Sequence, residues 1–188
     1  MAVLAVALFG VLVILVIAGV VFLIVMYNGL VHRRNEIDNA WAQIDVQLKR
    51  RFDLIPNLVA TVRGYAAHER QTFEAVVAAR AGAINATGPA QRAQAEGALS
   101  GALKSLFAVA EAYPALKANQ NFLGLQEELS ATESRITYAR QYYNDAVLTY
   151  NNSVQTVPTS LFAGSLGFNA REYFQTPGDE RGPVHVRF

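Results

Sequence analysis

IDNAWAQIDVQLKRRFDLIPNLVATV, residues 37–62, is the stretch on which the fold turns. Its apolar side chains fall at Ile37, Trp41, Ile44, Leu48, Phe52, Ile55, Val59 and Val62, in steps of three and four. That spacing puts them on one stripe of a helix and excludes the alternation of a strand. Pro56 removes one backbone donor, but the stripe keeps its phase across it, so a bend is expected and not an end. Gly64 is the expected terminus or a second bend. If the chain passed Gly64 straight, the first two helices would merge into one rod and the body would be a three-helix bundle.

Upstream of the stripe the composition changes completely. The chain of 188 residues carries 16 Lys+Arg and 15 Asp+Glu, none of them before His32. Ala2 to Met26 reads AVLAVALFGVLVILVIAGVVFLIVM, long enough to cross a hydrocarbon core, which takes about 20 apolar residues. Backbone groups there must be satisfied within the segment, so it is a helix. Gly10 and Gly19 do not have GxxxG spacing, and pairing through this helix is unsupported. A cleavable signal peptide would need a basic start, a shorter apolar core and a small-residue cleavage site; the anchor reading is preferred. Arg33 and Arg34 follow the span, which by the positive-inside rule puts the N-terminus outside and the body in the cytoplasm, at the inner membrane. Tyr27 is the expected interface aromatic. The absence of Cys agrees with a reducing compartment and excludes disulfides and thiolate metal sites.

Downstream, a second helix is expected over residues 68–86, with Phe73, Val77, Ala81 and Ile84 inward. Thr87-Gly88-Pro89 stops it and starts a third over residues 89–112, with Ala95, Leu99, Leu103, Leu106 and Ala110 on one face. A fourth covers residues 115–156, with Leu125, Leu129, Thr132, Ile136, Ala139, Tyr143, Val147, Tyr150 and Val154 at helical spacing, and Pro158 closes it. The fold class is all-α: a transmembrane helix continuing into an antiparallel four-helix bundle, or alternatively three long helices. The domains are residues 1–31 (anchor and interface), 32–158 (bundle) and 159–188 (juxtamembrane apolar segment and tail). Helix parity brings the segment after Pro158 back to the level of the membrane exit. Its Leu161, Phe162, Leu166, Phe168, Tyr173 and Phe174 either meet lipid headgroups or pack into a groove of the bundle. Residues 182–188 alternate as a short strand does, so Val184, Val186 and Phe188 would fray or pair with a partner's sheet edge. The candidate partner-binding residues are therefore Phe162, Phe168, Tyr173, Phe174, Val184, Val186 and Phe188.

No catalytic, cofactor or metal site is expected. His68-Glu69 opens like HExxH, but Thr72 stands where the second His is needed. Phosphate-cradling glycine motifs and a nucleophile elbow are missing. Polar residues cluster on two helices: the first carries Asp38, Asp45, Lys49, Arg50, Arg51 and Asp53, and the fourth Glu127, Glu128, Glu133, Arg135, Arg140 and Asp145. Ion pairs between adjacent helices account for them better than acid–base chemistry does. Lys49-Arg50-Arg51 reads as a solvated face, and a net charge of +1 gives no pull toward nucleic acid.

Residues 27–69, YNGLVHRRNEIDNAWAQIDVQLKRRFDLIPNLVATVRGYAAHE, and 128–174, ELSATESRITYARQYYNDAVLTYNNSVQTVPTSLFAGSLGFNAREYF, resemble the LemA family of bacterial membrane proteins. The resemblance implies one N-terminal transmembrane helix, the N-terminus outside and a cytoplasmic helical bundle. It supplies no catalytic residues. Family members are often encoded near membrane zinc metalloproteases or TPM-domain proteins, and some magnetosome proteins look like relatives. The function expected is a non-enzymatic membrane scaffold or adaptor contacting the bilayer and protein partners. An enzyme or metal-binding bundle using the Asp/Glu/Arg face is the alternative, and a membrane signal transducer the third. Self-association stays open, because Ala-rich helices fit both close helix approach and a tight monomeric core.

Overall fold

A computed structural model describes residues 1–175. Six helices follow in order: α1 Ala2–Arg63, α2 Arg70–Asn85, α3 Gly88–Glu111, α4 Pro114–Lys117, α5 Gln120–Gln155 and α6 Ser160–Ala163. The described residues contain no strand, and the fold is all-α. The strand-like residues 182–188, with Val184, Val186 and Phe188, lie outside them. Two compact units divide the described residues: Met1–Asn39 with Ala146–Arg171, and Ala40–Asp145 with residues 172–175.

The second unit is the bundle. Every stripe residue of α1 that lies in it is buried except Trp41, which is half-buried. Cross-helix contacts fix the direction of each neighbour. Along α1, Asp45 and Arg51 meet Arg92 and Glu96, so α3 runs parallel to α1. Phe52 and Arg63 meet Arg80 and Phe73, so α2 is antiparallel. Trp41, Arg51 and Arg50 meet Tyr143, Glu133 and Glu128, so α5 is antiparallel as well. The arrangement is up-down-up-down over four long helices. α1 ends at Arg63, and a turn over residues 64–69 separates it from α2, which settles the Gly64 alternative for four helices over three.

Pro56 lies inside α1 without ending it. It has no N–H to offer the carbonyl four residues back, that of Phe52. Arg80 of α2 fills the gap: its Nε donates to Phe52 O at 2.8 Å. This bond sets the phase of α2. Its inward face is Phe73, Val76, Arg80 and Ala83, while Val77, Ala81 and Ile84 are exposed, contrary to the expected face. With two adjacent valines in an Ala-rich helix, hydrophobicity alone does not choose between the phases. Thr87-Gly88-Pro89 acts as expected: Gly88 takes φ +73°, which only glycine adopts freely, and Pro89 sits in the first turn of α3.

Two further expectations need correction. On α3 the buried stripe is Ala93, Glu96, Leu99, Leu103, Leu106 and Ala110; Ala95 is only half-buried. The expected fourth helix breaks at Ala118–Asn119 into α4 and α5, because Asn119 Oδ1 accepts the Phe122 N–H at 3.0 Å and caps a new helix start.

In the first unit, Leu30 and Ile37 of α1, Val147 and Tyr150 of α5, and Ala163 and Phe168 beyond it are all buried. After α6, the Phe168 N–H bonds Ala163 O at 2.9 Å and the Gly167 N–H bonds Gly164 O at 3.2 Å, with Gly167 at φ +77°. This glycine-dependent cap throws Phe168 inward, where Tyr27 meets it edge-on at 5.4 Å. From Val11 to Val25, side chains on all faces of α1 are exposed, which suits lipid and not water.

Arg80→Met should cost about 1–3 kcal/mol by leaving the Phe52 carbonyl without a donor. In a Pro56→Ala background the restored N–H takes that carbonyl, and the same change should cost less. Urea unfolding of the four proteins in detergent, followed through Trp41 fluorescence, measures the cycle. Equal costs in both backgrounds would refute the gap-filling role.

Candidate functional site

The charged residues of the bundle converge on Arg51. It is 5% exposed, and so buried inside a run read as a solvated face; only Lys49 and Arg50 remain outside. The stripe explains this, since position 51 lies beside Leu48, Phe52 and Ile55. Arg51 Nη1 reaches Glu96 Oε2 at 2.8 Å and Glu133 Oε2 at 2.9 Å, and Nη2 donates to Ser100 Oγ at 2.8 Å. One guanidinium thereby ties α1 to α3 and α5. Arg50–Glu128 adds an outer pair between α1 and α5, as the ion-pair reading anticipated, and Arg92–Asp45 adds one from α3, which that reading did not include.

Glu96 is not among the residues that the sequence singles out. It is 2% exposed on the apolar stripe of α3, three residues from Ala93 and three from Leu99, and that spacing was the available signal. Its Oε1 has no hydrogen-bond partner. Burial pushes its carboxyl above the ordinary value of 4.5, Glu133 pushes the same way, and Arg51 and Arg92 oppose. Above this centre lies an open groove of about 560 Å³ between α3 and α5, with Arg51 in its lining, Leu103, Phe107 and Leu129 as apolar wall, and Lys104 beside them.

The chain beyond α6 is held by amides. Within the bundle, Asn144 Nδ2 donates to Phe174 O at 3.1 Å and the Phe174 N–H donates to Asn144 Oδ1 at 2.9 Å. Tyr143 Oη donates to Glu172 O at 2.9 Å, and the Phe174 ring lies beneath Arg140 and beside Trp41. In the first unit Asn151 holds Arg171 by the same reciprocal pair, at 2.9 and 2.8 Å, while the Arg171 guanidinium pairs with Asp38 at 3.1 Å. In the polar and aromatic run Arg140–Asp145, Arg140, Tyr143 and Asn144 thus supply packed contacts.

The candidate partner-binding residues separate accordingly. Phe168 and Phe174 are core side chains, 2% and 3% exposed, and offer no surface to a partner. Tyr173 is half-buried, and Phe162 is exposed at the mouth of an apolar groove with Leu23, Ile24, Tyr27 and Leu166. Val184, Val186 and Phe188 fall beyond the described residues. Among the described residues, no three His, Asp or Glu side chains gather where they could hold a metal ion.

Among the described residues, one helix long and apolar enough to cross a bilayer, prolonged into a four-helix body locked by a buried arginine, defines a membrane protein with a helical bundle. The LemA family profile matches residues 40–188, and the chain belongs to the LemA family. It is similar to magnetosome protein MamQ 2 of Paramagnetospirillum magneticum, 28% identical over 85% of this chain and 68% of that protein. MamQ of Magnetospirillum gryphiswaldense is 27% identical over 84% and 68%. Protein LemA of Metamycoplasma hominis is 29% identical over 84% and 72%. None of these is an enzyme name.

Ionised Glu96 is disfavoured in the folded state, so its contribution is fully present below pH 4.5 and is lost as pH rises through the elevated folded value. Glu96→Gln, which mimics the protonated acid, should therefore gain on the native protein as pH climbs above 4.5 and lose that advantage below it. Thermal unfolding followed by circular dichroism reads this; a pH-independent difference would be inconsistent with it. Arg51→Met, which strands the buried Glu96 carboxylate, should cost about 3–5 kcal/mol at neutral pH.

Proposed function

We propose that the protein is a non-enzymatic scaffold or adaptor at the inner membrane, its N-terminus outside and its bundle cytoplasmic, working by contact with a protein partner. The observation that carries this reading is the convergence on Arg51. The acidic and basic side chains that could have run acid–base chemistry are spent on holding α1, α3 and α5 together. Arg33 and Arg34 after the apolar run support the orientation. The open α3–α5 groove, apolar along one wall and charged at Arg51 and Lys104, supplies contact surface on the body. A membrane protein such as a zinc metalloprotease or a TPM-domain protein is the partner we favour, with self-assembly into a membrane patch compatible with the same surface.

Protease added to intact spheroplasts should leave the bundle whole and digest it only after lysis. A photoreactive residue at Ser130, in the groove, should give discrete protein adducts in native membranes. Adducts of doubled mass only would narrow the role to self-assembly. Stoichiometric metal in the purified protein, or a substrate consumed by it, would overturn the reading in favour of the enzyme or metal-binding alternative.

A further inference from the structure

The first unit carries an apolar surface that its own core does not use. Leu161 is 71% exposed, and Val157, Phe162 and Leu166 are exposed beside it. Phe162, Ser165 and Leu166 line a groove of about 300 Å³ whose other wall is Leu23, Ile24 and Tyr27. That wall belongs to the membrane-crossing segment, and its depth can be reckoned. Residues 2–26 rise about 37 Å at 1.5 Å per residue, and a hydrocarbon layer of about 30 Å centred on them reaches Leu23 and Ile24. Tyr27 then falls at the interface, where tyrosine is favoured, and Arg33 and Arg34 lie about 10 Å further, among headgroups. The groove straddles the edge of the hydrocarbon, and its second wall is held at the same level.

The turn is chemically suited to that depth. No charged residue occurs from Ala146 to Ala170. The N–H groups of residues 160–163 and 166–168 all bond to carbonyls within the turn, and Ser165 Oγ donates to Phe162 O at 2.8 Å. Entry into a low-dielectric layer thus strands few donors. Cations ring its base: Arg33 bonds Ser153, and Arg34 stacks over Phe168 at 5.4 Å.

We propose that the α6 turn is a second membrane contact, in which Leu161, Phe162 and Leu166 dip into the hydrocarbon edge beside α1 and their groove takes a lipid acyl chain. The inference goes beyond the scaffold reading and depends only on α1 crossing the bilayer. The protein has no cysteine, so a single introduced one is labelled uniquely. Phe162→Cys, Leu161→Cys and, as an anchor reference, Phe22→Cys of the full chain would carry nitroxides in phosphatidylcholine–phosphatidylglycerol vesicles. Accessibility to oxygen and to a water-soluble nickel chelate would then be compared, with helix content checked by circular dichroism.

At Phe162 and Leu161 oxygen should win over nickel, the ratio shifting toward that at Phe22. Nickel access as high as in water would overturn the proposal, and so would low access to both reagents, which marks cover by protein such as a second copy. Either result with a lipid-like Phe22 removes this contact alone; a water-like Phe22 removes the anchor with it.

Discussion

The backbone hydrogen-bond ladder of α1 runs from Ala2 to Arg63 and has to be satisfied in two different surroundings. Through its first part the side chains are apolar on every face and the helix needs nothing from the rest of the chain. From Leu30 onward one stripe is buried, and defects in the ladder must be repaired by neighbours. Pro56 makes the one internal gap a proline must make, at the Phe52 carbonyl, and Arg80 closes it from α2. Arg51, one residue before Phe52, reaches the other way, to α3 and α5. Two adjacent positions of α1 therefore engage all three partner helices of the bundle.

A buried arginine with two carboxylates is a costly way to hold helices. Such centres are seldom more stable than an apolar replacement, because desolvation offsets the attraction. Here the imbalance is visible in Glu96, whose free oxygen and elevated proton affinity mark an incompletely compensated charge. What the centre does provide is register. Leu, Ile and Ala tolerate sliding by a turn, whereas a guanidinium that must meet Glu96, Ser100 and Glu133 together fits in one alignment.

The sequence is legible where one physical signal dominates. The apolar run, the α1 stripe, the Gly88–Pro89 start and the core of α5 from Leu129 to Tyr150 stand as expected, because spacing and breakers leave no rival. It is less legible where two signals compete or none is strong. In α2, Val76 and Val77 are equally apolar, and a hydrogen bond to a distant carbonyl breaks the tie. In α3, Glu96 is not legible, because a carboxylate on a buried stripe is explained only by an arginine elsewhere in the chain. Asn119 was a readable cap hidden by continuous helix formers around it. For the site, the aromatic load after Pro158 is legible only as a group. Its division between inward Phe168 and Phe174 and outward Leu161 and Phe162 depends on the Gly167 conformation and on asparagine amides.

Asn144 and Asn151 grip main chain and not side chains, each offering one donor and one acceptor as a neighbouring β-strand would. A peptide unit looks the same whatever residue carries it, proline excepted, which has no N–H to give. At position 171, where the side chain stays outside the core, the hold is thus indifferent to spelling: evolution is free to rewrite that letter, and to retune the charge presented there, without loosening the fastening itself.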